Sequence, residues 1–178
     1  MLTLFTELNK KLLEFSKYVK QQSRSRLTKS KRVDSKALYN SISVDTNFKN
    51  KSSSVTFIMK KYGAYVDQGV KGTKSTYSSA RNSPFKYKQS SKVLGFELAT
   101  GTFAKWAKRK KFRFRDEKGR FKKGNYKSIG VAIALSIKKK GLRGNGFFTK
   151  SLDTGVKKYE NEFFKAIEND INNFLLND

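Results

Sequence analysis

The 178-residue chain sets 40 Lys and Arg against 14 Asp and Glu, a formal net charge of +26, and it holds 15 Phe, 8 Tyr and one Pro. With no cysteine there is no disulfide framework and no thiolate metal site, and with no histidine there is neither imidazole catalysis nor imidazole ligation. A surface this positive repels its own copies and attracts polyanions, whether nucleic acid or an acidic protein face; lysine-rich codon usage in an AT-rich genome is the alternative source of the same charge.

The length suits one domain, 1–178. Residues 2–22 read as an amphipathic helix, with Leu4, Leu8, Leu12, Phe15 and Val19 at steps of four or three. Phe5, Leu13 and Tyr18 widen this stripe, and Glu7, Lys10, Lys11, Glu14 and Lys17 form the other face. Those charges also interrupt any apolar run, so the segment is not a signal peptide, and nothing approaches the roughly 20 apolar residues of a membrane span. A soluble, intracellular product is expected. Residues 22–34, polar and basic, read as a linker or arm. Asp34 then serves as N-cap to a short helix carrying Leu38, Tyr39 and Ile42.

A period of two follows. Ile42, Val44, Thr46 and Phe48 alternate with Ser43, Asp45 and Asn47, and after "KNKSSS" Val55, Phe57 and Met59 alternate with Thr56, Ile58 and Lys60, which predicts an antiparallel hairpin. The stretch "KYGAYVDQGVKG", 61–72, comes next. Residues 72–128 differ in character. "STYSSARNSPFKYKQSS" reads as extended loop, and "FAKWAKRKK" as a short helix with Phe103, Trp106 and Ala107 on one side. "FRFRDEKGRFKKG" reads as a hairpin turning at 116–119, with Phe112 and Phe114 before the turn and Phe121 after it.

Residues 128–141 fit both periods, because Ile129, Val131, Ile133, Leu135 and Ile137 alternate while Ile129, Ile133 and Ile137 also share a helical face. Lys138, Lys139 and Lys140 followed by Gly141 favour a helix, with cations at the negative end of its dipole and glycine past its end. A Gly-rich loop leads to Phe147 and Phe148. Neighbouring side chains of an extended segment point to opposite faces, so one ring is expected in the core and the other toward the surface or a neighbour. From 152 to 176, Leu152, Val156, Tyr159, Phe163, Ile167, Ile171 and Phe174 mark a long helix. Six of the 14 acids lie between Asp153 and Asp178, leaving this end near neutral.

The remaining acids are scattered, whereas metal-assisted hydrolysis needs clustered carboxylates. No nucleophilic serine motif stands in a suitable setting, and "GVKGTKS" lacks the spacing of a phosphate loop. No enzyme, metal or cofactor is expected. The basic run 105–115 interleaves cations with aromatics. Lys105, Lys108, Arg109, Lys110, Lys111, Arg113 and Arg115 read as polyanion contacts. The aromatics beside them either stack on bases or pack the domain, and packing is the preferred reading.

"SKALYNSISVDTNFKNKSSSVTFIMKKYGAYVDQG" resembles a signature of the tail-completion, or head–tail joining, proteins of long-tailed bacteriophages. That family's corner after the second strand matches Tyr62, Ala64, Tyr65, Val66, Asp67 and Gly69, with Asp67 at the usual Glu and Val70 at a common Thr. "SIGVAIALSIKKKGLRGNGFFTKSLD" is similar to its helix, glycine break and entry to the last helix, with Phe147, Phe148 and Leu152 at the apolar positions and Gly146 at the usual Pro. The likeness covers 34–72 and 128–176 and makes 72–128 an insertion, or an extended loop and hairpin region. It implies a structural corner: Tyr62 and Tyr65 under the sheet, Gly63 and Gly69 permitting a tight turn, and Asp67 capping a turn or pairing with a lysine.

The expected fold is α+β, a small antiparallel sheet packed by long N- and C-terminal helices and carrying a basic inserted segment. The resemblance implies a structural virion protein of the head–tail connector, neck or tail terminus, present in the host cytoplasm during assembly. Copies would form a ring of six or twelve around the DNA channel. Portal or adaptor and tail-tube proteins would be partners, with DNA in the channel and no membrane. The rival is a free-standing basic nucleic-acid-binding protein.

Overall fold

A computed structural model describes residues 5–30, 35–49, 52–122 and 124–176. Its architecture is α+β, as expected. The chain divides into two compact units, 1–67 with 145–178, and 68–144.

The first unit is organised by α1 (Thr6–Lys29) and α7 (Thr149–Leu176). Between them in sequence come α2 (Ala37–Ser41), the hairpin β1 (Ser43–Lys49) and β2 (Ser52–Ile58), and α3 (Gly63–Gln68). The strands pair antiparallel from Ser43↔Ile58 to Lys49↔Ser52 with strictly alternating burial, so only one face of the hairpin packs. Two apolar clusters form the core. Phe15, Val19 and Tyr159 make one, and Leu27, Leu38, Ile42 and Phe147 the other. Phe15 is the hub of the first. Its ring meets Phe57, Tyr159 and Phe163 edge-on with centroids 6.2, 5.9 and 5.5 Å away, the geometry that the ring quadrupoles favour.

The helix α1 outruns its expected end, and residues 22–29 are helix rather than linker. Ser23 and Leu27 continue the stripe of Phe15 and Val19 and are fully buried. A polar run hid this continuation, since a serine in a tight seam does not register as apolar. Arg24, in the same run, donates from Nε to the Tyr39 carbonyl and from Nη2 to that of Ile42, each at 3.2 Å. Those bonds tie α1 to the end of α2. The expected N-cap Asp34 lies outside the described residues.

In α7 the buried face is offset from the apolar stripe of the sequence. Ser151, Gly155, Tyr159, Ala166 and Asp170 face inward, whereas Val156, Ile171 and Phe174 are about half exposed. The cause is the close approach of α1. A Cβ on Gly155 would stand 2.7 Å from Val19 Cγ2 and 2.9 Å from Phe15 Cε2. Small residues therefore occupy the seam and larger ones its flank. Lys11 spans the seam to Glu162 (3.0 Å) while holding Glu14 (3.1 Å), and these hydrogen bonds, Glu162 first, raise its ammonium above the usual lysine value.

The second unit begins with β3 (Gly69–Lys71), which pairs antiparallel with β6 (Gly141–Arg143). Helices α4 (Val93–Thr100), α5 (Thr102–Arg109) and α6 (Tyr126–Lys140) pack together between them, and α5 and α6 are joined by a short hairpin, β4 (Phe114–Arg115) with β5 (Phe121–Lys122). The segment 72–128 lies within this unit, whose borders fall at Gln68 and Gly144. Of the two periods open to 128–141, the helical one is realised. Asn125 caps α6 by accepting from Lys127 N (2.9 Å), three lysines fill its last turn, and Gly141 ends it at φ +82°. The helix α4 was not expected. It buries Glu97 while leaving Phe96 and Leu98 exposed, inverting the pattern by which helices are recognised.

A valine at Gly155 should overpack the α1–α7 seam and destabilise the protein by about 1–3 kcal/mol. Gly95→Ala in α4 meets nothing nearer than 3.9 Å and should be neutral or stabilise by up to about 1 kcal/mol. Circular dichroism melts of both variants check this, and equal melting temperatures would contradict the tight seam.

Candidate polyanion-binding surface

Charge is divided unevenly along the chain. Residues 68–144 hold 22 Lys and Arg and three acids, a net +19 of the total +26. Two of those acids are engaged. Glu97, almost wholly buried, accepts from the backbone N–H of Phe103 (2.7 Å) and Ala104 (2.9 Å), the first turn of α5. Gly130 makes room for it, since a Cβ there would lie 2.0 Å from Glu97 Oε1. Asp116 accepts from Arg120 N (2.8 Å) within the β4–β5 turn. Little carboxylate is left to neutralise the cations around it.

Lys105, Lys108, Arg109, Lys110, Lys111, Arg113 and Arg115 are all exposed. They follow α5 and its exit, where Lys111 takes a left-handed conformation at φ +52° and Phe112 N donates back to Ala107 O (3.1 Å). The chain then enters β4. Arg115 stands opposite Phe121 in the pairing, and the guanidiniums of Arg113 and Arg115 lie over the Phe121 ring at 5.1 and 4.4 Å. On the alternate positions Phe112 packs on Trp106 (5.2 Å) and Phe114 on Tyr126 (5.4 Å). Together Phe112, Arg113, Phe114, Phe121, Lys122, Gly124 and Tyr126 line a groove of about 480 Å³. Phe121, Lys122 and Tyr126 were not assigned a role from the sequence. Their signal was the hairpin register, which sets Phe121 and Lys122 against β4.

The stretch 61–72 is not an open corner. It holds α3 followed by β3. Tyr62, just before α3, and Tyr65, within it, are 42% and 44% exposed and do not pack under the sheet. Gly63 lies where a Cβ would meet Met59 Sδ at 2.8 Å, and Gly69 has φ +76°, so close packing constrains the first and backbone conformation the second. Asp67 is a cap, though of a helix rather than a turn. Its Oδ1 accepts from Phe148 N (2.7 Å) and its Oδ2 from Thr149 Oγ1 (2.5 Å), at the start of α7.

Phe147 is fully buried, as one of the pair was expected to be. Phe148, the other of the pair, also packs within the unit. It is half-buried, packs on both core clusters and meets Phe57 edge-on at 5.4 Å. The surface expected on its side of the loop is covered by the hairpin.

Among the described residues no group of three or more acids could hold a metal ion, and no helix is long and apolar enough to cross a membrane. The surface offers cations, ring faces and backbone, which bind anions and flat groups.

Asp67→Ala removes a buried N-cap and should cost about 1–2 kcal/mol, read as a lower thermal midpoint. Replacing Lys105, Lys108, Arg109, Lys110 and Lys111 by Gln should weaken DNA binding and lower the slope of log affinity against log salt by about 0.9 for each phosphate no longer neutralised. Titrations at several salt concentrations measure both, and an unchanged slope would remove these residues from the interface. Compared with known proteins, the chain matches no family model, no curated protein and no solved structure at a significant level.

Proposed function

We propose that this chain is a structural virion protein of the head–tail connector, neck or tail terminus of a long-tailed bacteriophage, assembling through its first unit and meeting polyanion through its second. In this reading it is not an enzyme and uses no cofactor. Copies form a ring around the DNA channel, in the virion and first in the host cytoplasm, with portal or adaptor and tail-tube proteins as partners. The observation that carries self-assembly is the outer face of α7. Phe164, Ile171 and Leu175 recur at steps of seven and four and are 67%, 50% and 67% exposed. Phe174, 48% exposed, borders them. Monomeric proteins seldom leave such a stripe to water, and a ring subunit covers it with a neighbour. The helix–hairpin–helix order into Asp67, and the lock of Asp67 on the last helix, support the corner that the resemblance implies.

The alternative, a free-standing nucleic-acid-binding protein, is favoured by the groove on the β4–β5 hairpin. Light scattering separates the two. The connector reading expects a closed oligomer, formed at high salt where the self-repulsion of a +26 chain is screened, or formed on adding head and tail proteins. Phe164→Asp with Ile171→Asp should leave a folded monomer. A strict monomer under all these conditions would exclude the ring.

A further inference from the structure

The aromatics of the basic segment only partly pack. Phe114 and Trp106 are half-buried, but Phe112 and Phe121 are 41% and 57% exposed in the most positive part of the chain. A two-stranded hairpin this short is not stable by itself. The packing of Phe112 on Trp106 and of Phe114 on Tyr126 holds it on α5 and α6. Phe121, the most exposed of these rings, lies under the guanidiniums of Arg113 and Arg115. Duplex DNA has no use for such rings, because its base faces are already stacked and its phosphates need cations alone. An unpaired strand has both free base faces and phosphates, and aromatic faces interleaved with cations are how proteins bind it without reading sequence. The groove volume, about 480 Å³, falls within the range of small-molecule sites.

We propose that the β4–β5 hairpin is a binding site for single-stranded nucleic acid. Unpaired bases stack among Phe112, Phe121 and the guanidinium planes of Arg113 and Arg115, while Lys122 and the lysines after α5 take the phosphates. The inference shares with the connector reading only the premise that residues 68–144 meet nucleic acid. It needs neither the ring nor the virion.

The test uses the full chain with labelled oligo(dT), oligo(U) and a DNA duplex of equal length. Phe121 is exposed, so Phe121→Ala should melt like the parent. It should bind the single strands about 5- to 140-fold more weakly, the range that alanine substitution of a stacking aromatic gives. Duplex affinity and the salt slope should stay as they were. Phe121→Tyr should restore binding. Trp106, the sole tryptophan, packs on Phe112, so its emission should change when a single strand is bound and stay constant with duplex. Similar affinity for oligo(dT) and oligo(U) would support stacking on any unpaired strand, and a preference would identify DNA or RNA as its source. Unaltered single-strand binding by Phe121→Ala, equal weakening on single strand and duplex, or no binding of either oligonucleotide by the parent would each overturn the proposal. Those results would leave the light-scattering outcome for the connector reading untouched.

Discussion

The structure depends on buried carboxylates placed at the starts of helices. The first turn of a helix leaves backbone N–H groups without partners and carries the positive end of the dipole. In α1 and α5 the residue at the cap position makes no side-chain bond, and the acid comes from elsewhere. Asp170 of α7 accepts from the N–H of Glu7 and Leu8, both at 2.9 Å, at the start of α1. Asp67 does the same for α7, and Glu97 for α5. A buried carboxylate is costly unless hydrogen-bonded, and an unpaired helix end is costly unless capped, so each group offsets the penalty of the other. Two of the three bonds are long in sequence. Asp170 joins the two ends of the chain, and Asp67 fixes where the last helix begins. In a chain with only 14 acids, this use also withdraws carboxylates from the surface and leaves its cations uncompensated.

The α1–α7 seam follows the same economy of space. With its start pinned by Asp170, α1 lies close enough to α7 that Gly155 and Ser151 are the residues that fit. Tyr159 and Phe163 still reach Phe15, but Val156, Ile171 and Phe174 are rotated to the flank of α7. An apolar face left over by tight packing of small residues is a different thing from a core face that failed to find a partner. It is available because the helix is already held by its other side.

Elements with one dominant period were legible. The β1–β2 hairpin, the last helix and the α6 terminus at Gly141 could be read from alternation, from apolar steps and from lysines before a glycine. The exposed cations of 105–115 were legible as well, since a dense charge run has nowhere to go but the surface. What escaped reading was burial of polar residues. Ser23 in the last third of α1 is buried by packing, Glu97 inside α4 caps the helix that follows it, and Asp170 in α7 caps a helix at the other end of the chain; apolar periodicity registers none of these. The tyrosines of 61–72 misled in the converse direction. The resemblance put Tyr62 and Tyr65 under the sheet, yet both are exposed, Tyr62 just before α3 and Tyr65 within it.

The second unit joins high charge to a modest core. Its buried apolar residues are Val70, Ala80, Ala104, Ala107 and Ala134, all small, so the transfer free energy available from burial is correspondingly limited. Against this stands a net +19 within 77 residues, whose self-repulsion favours expansion. A bound polyanion removes that repulsion and stabilises the folded form by mass action, about 2.7 kcal/mol at a ligand concentration a hundred times its dissociation constant. Stability and binding in 68–144 are therefore coupled through the same cations. Neutralising the lysines after α5 by substitution would relieve repulsion and weaken the ligand together, whereas removing Phe121 leaves the charge as it was and takes away a ring face, together with its contacts to Arg113 and Arg115. That difference makes the ring, rather than the charge, the informative position on this surface.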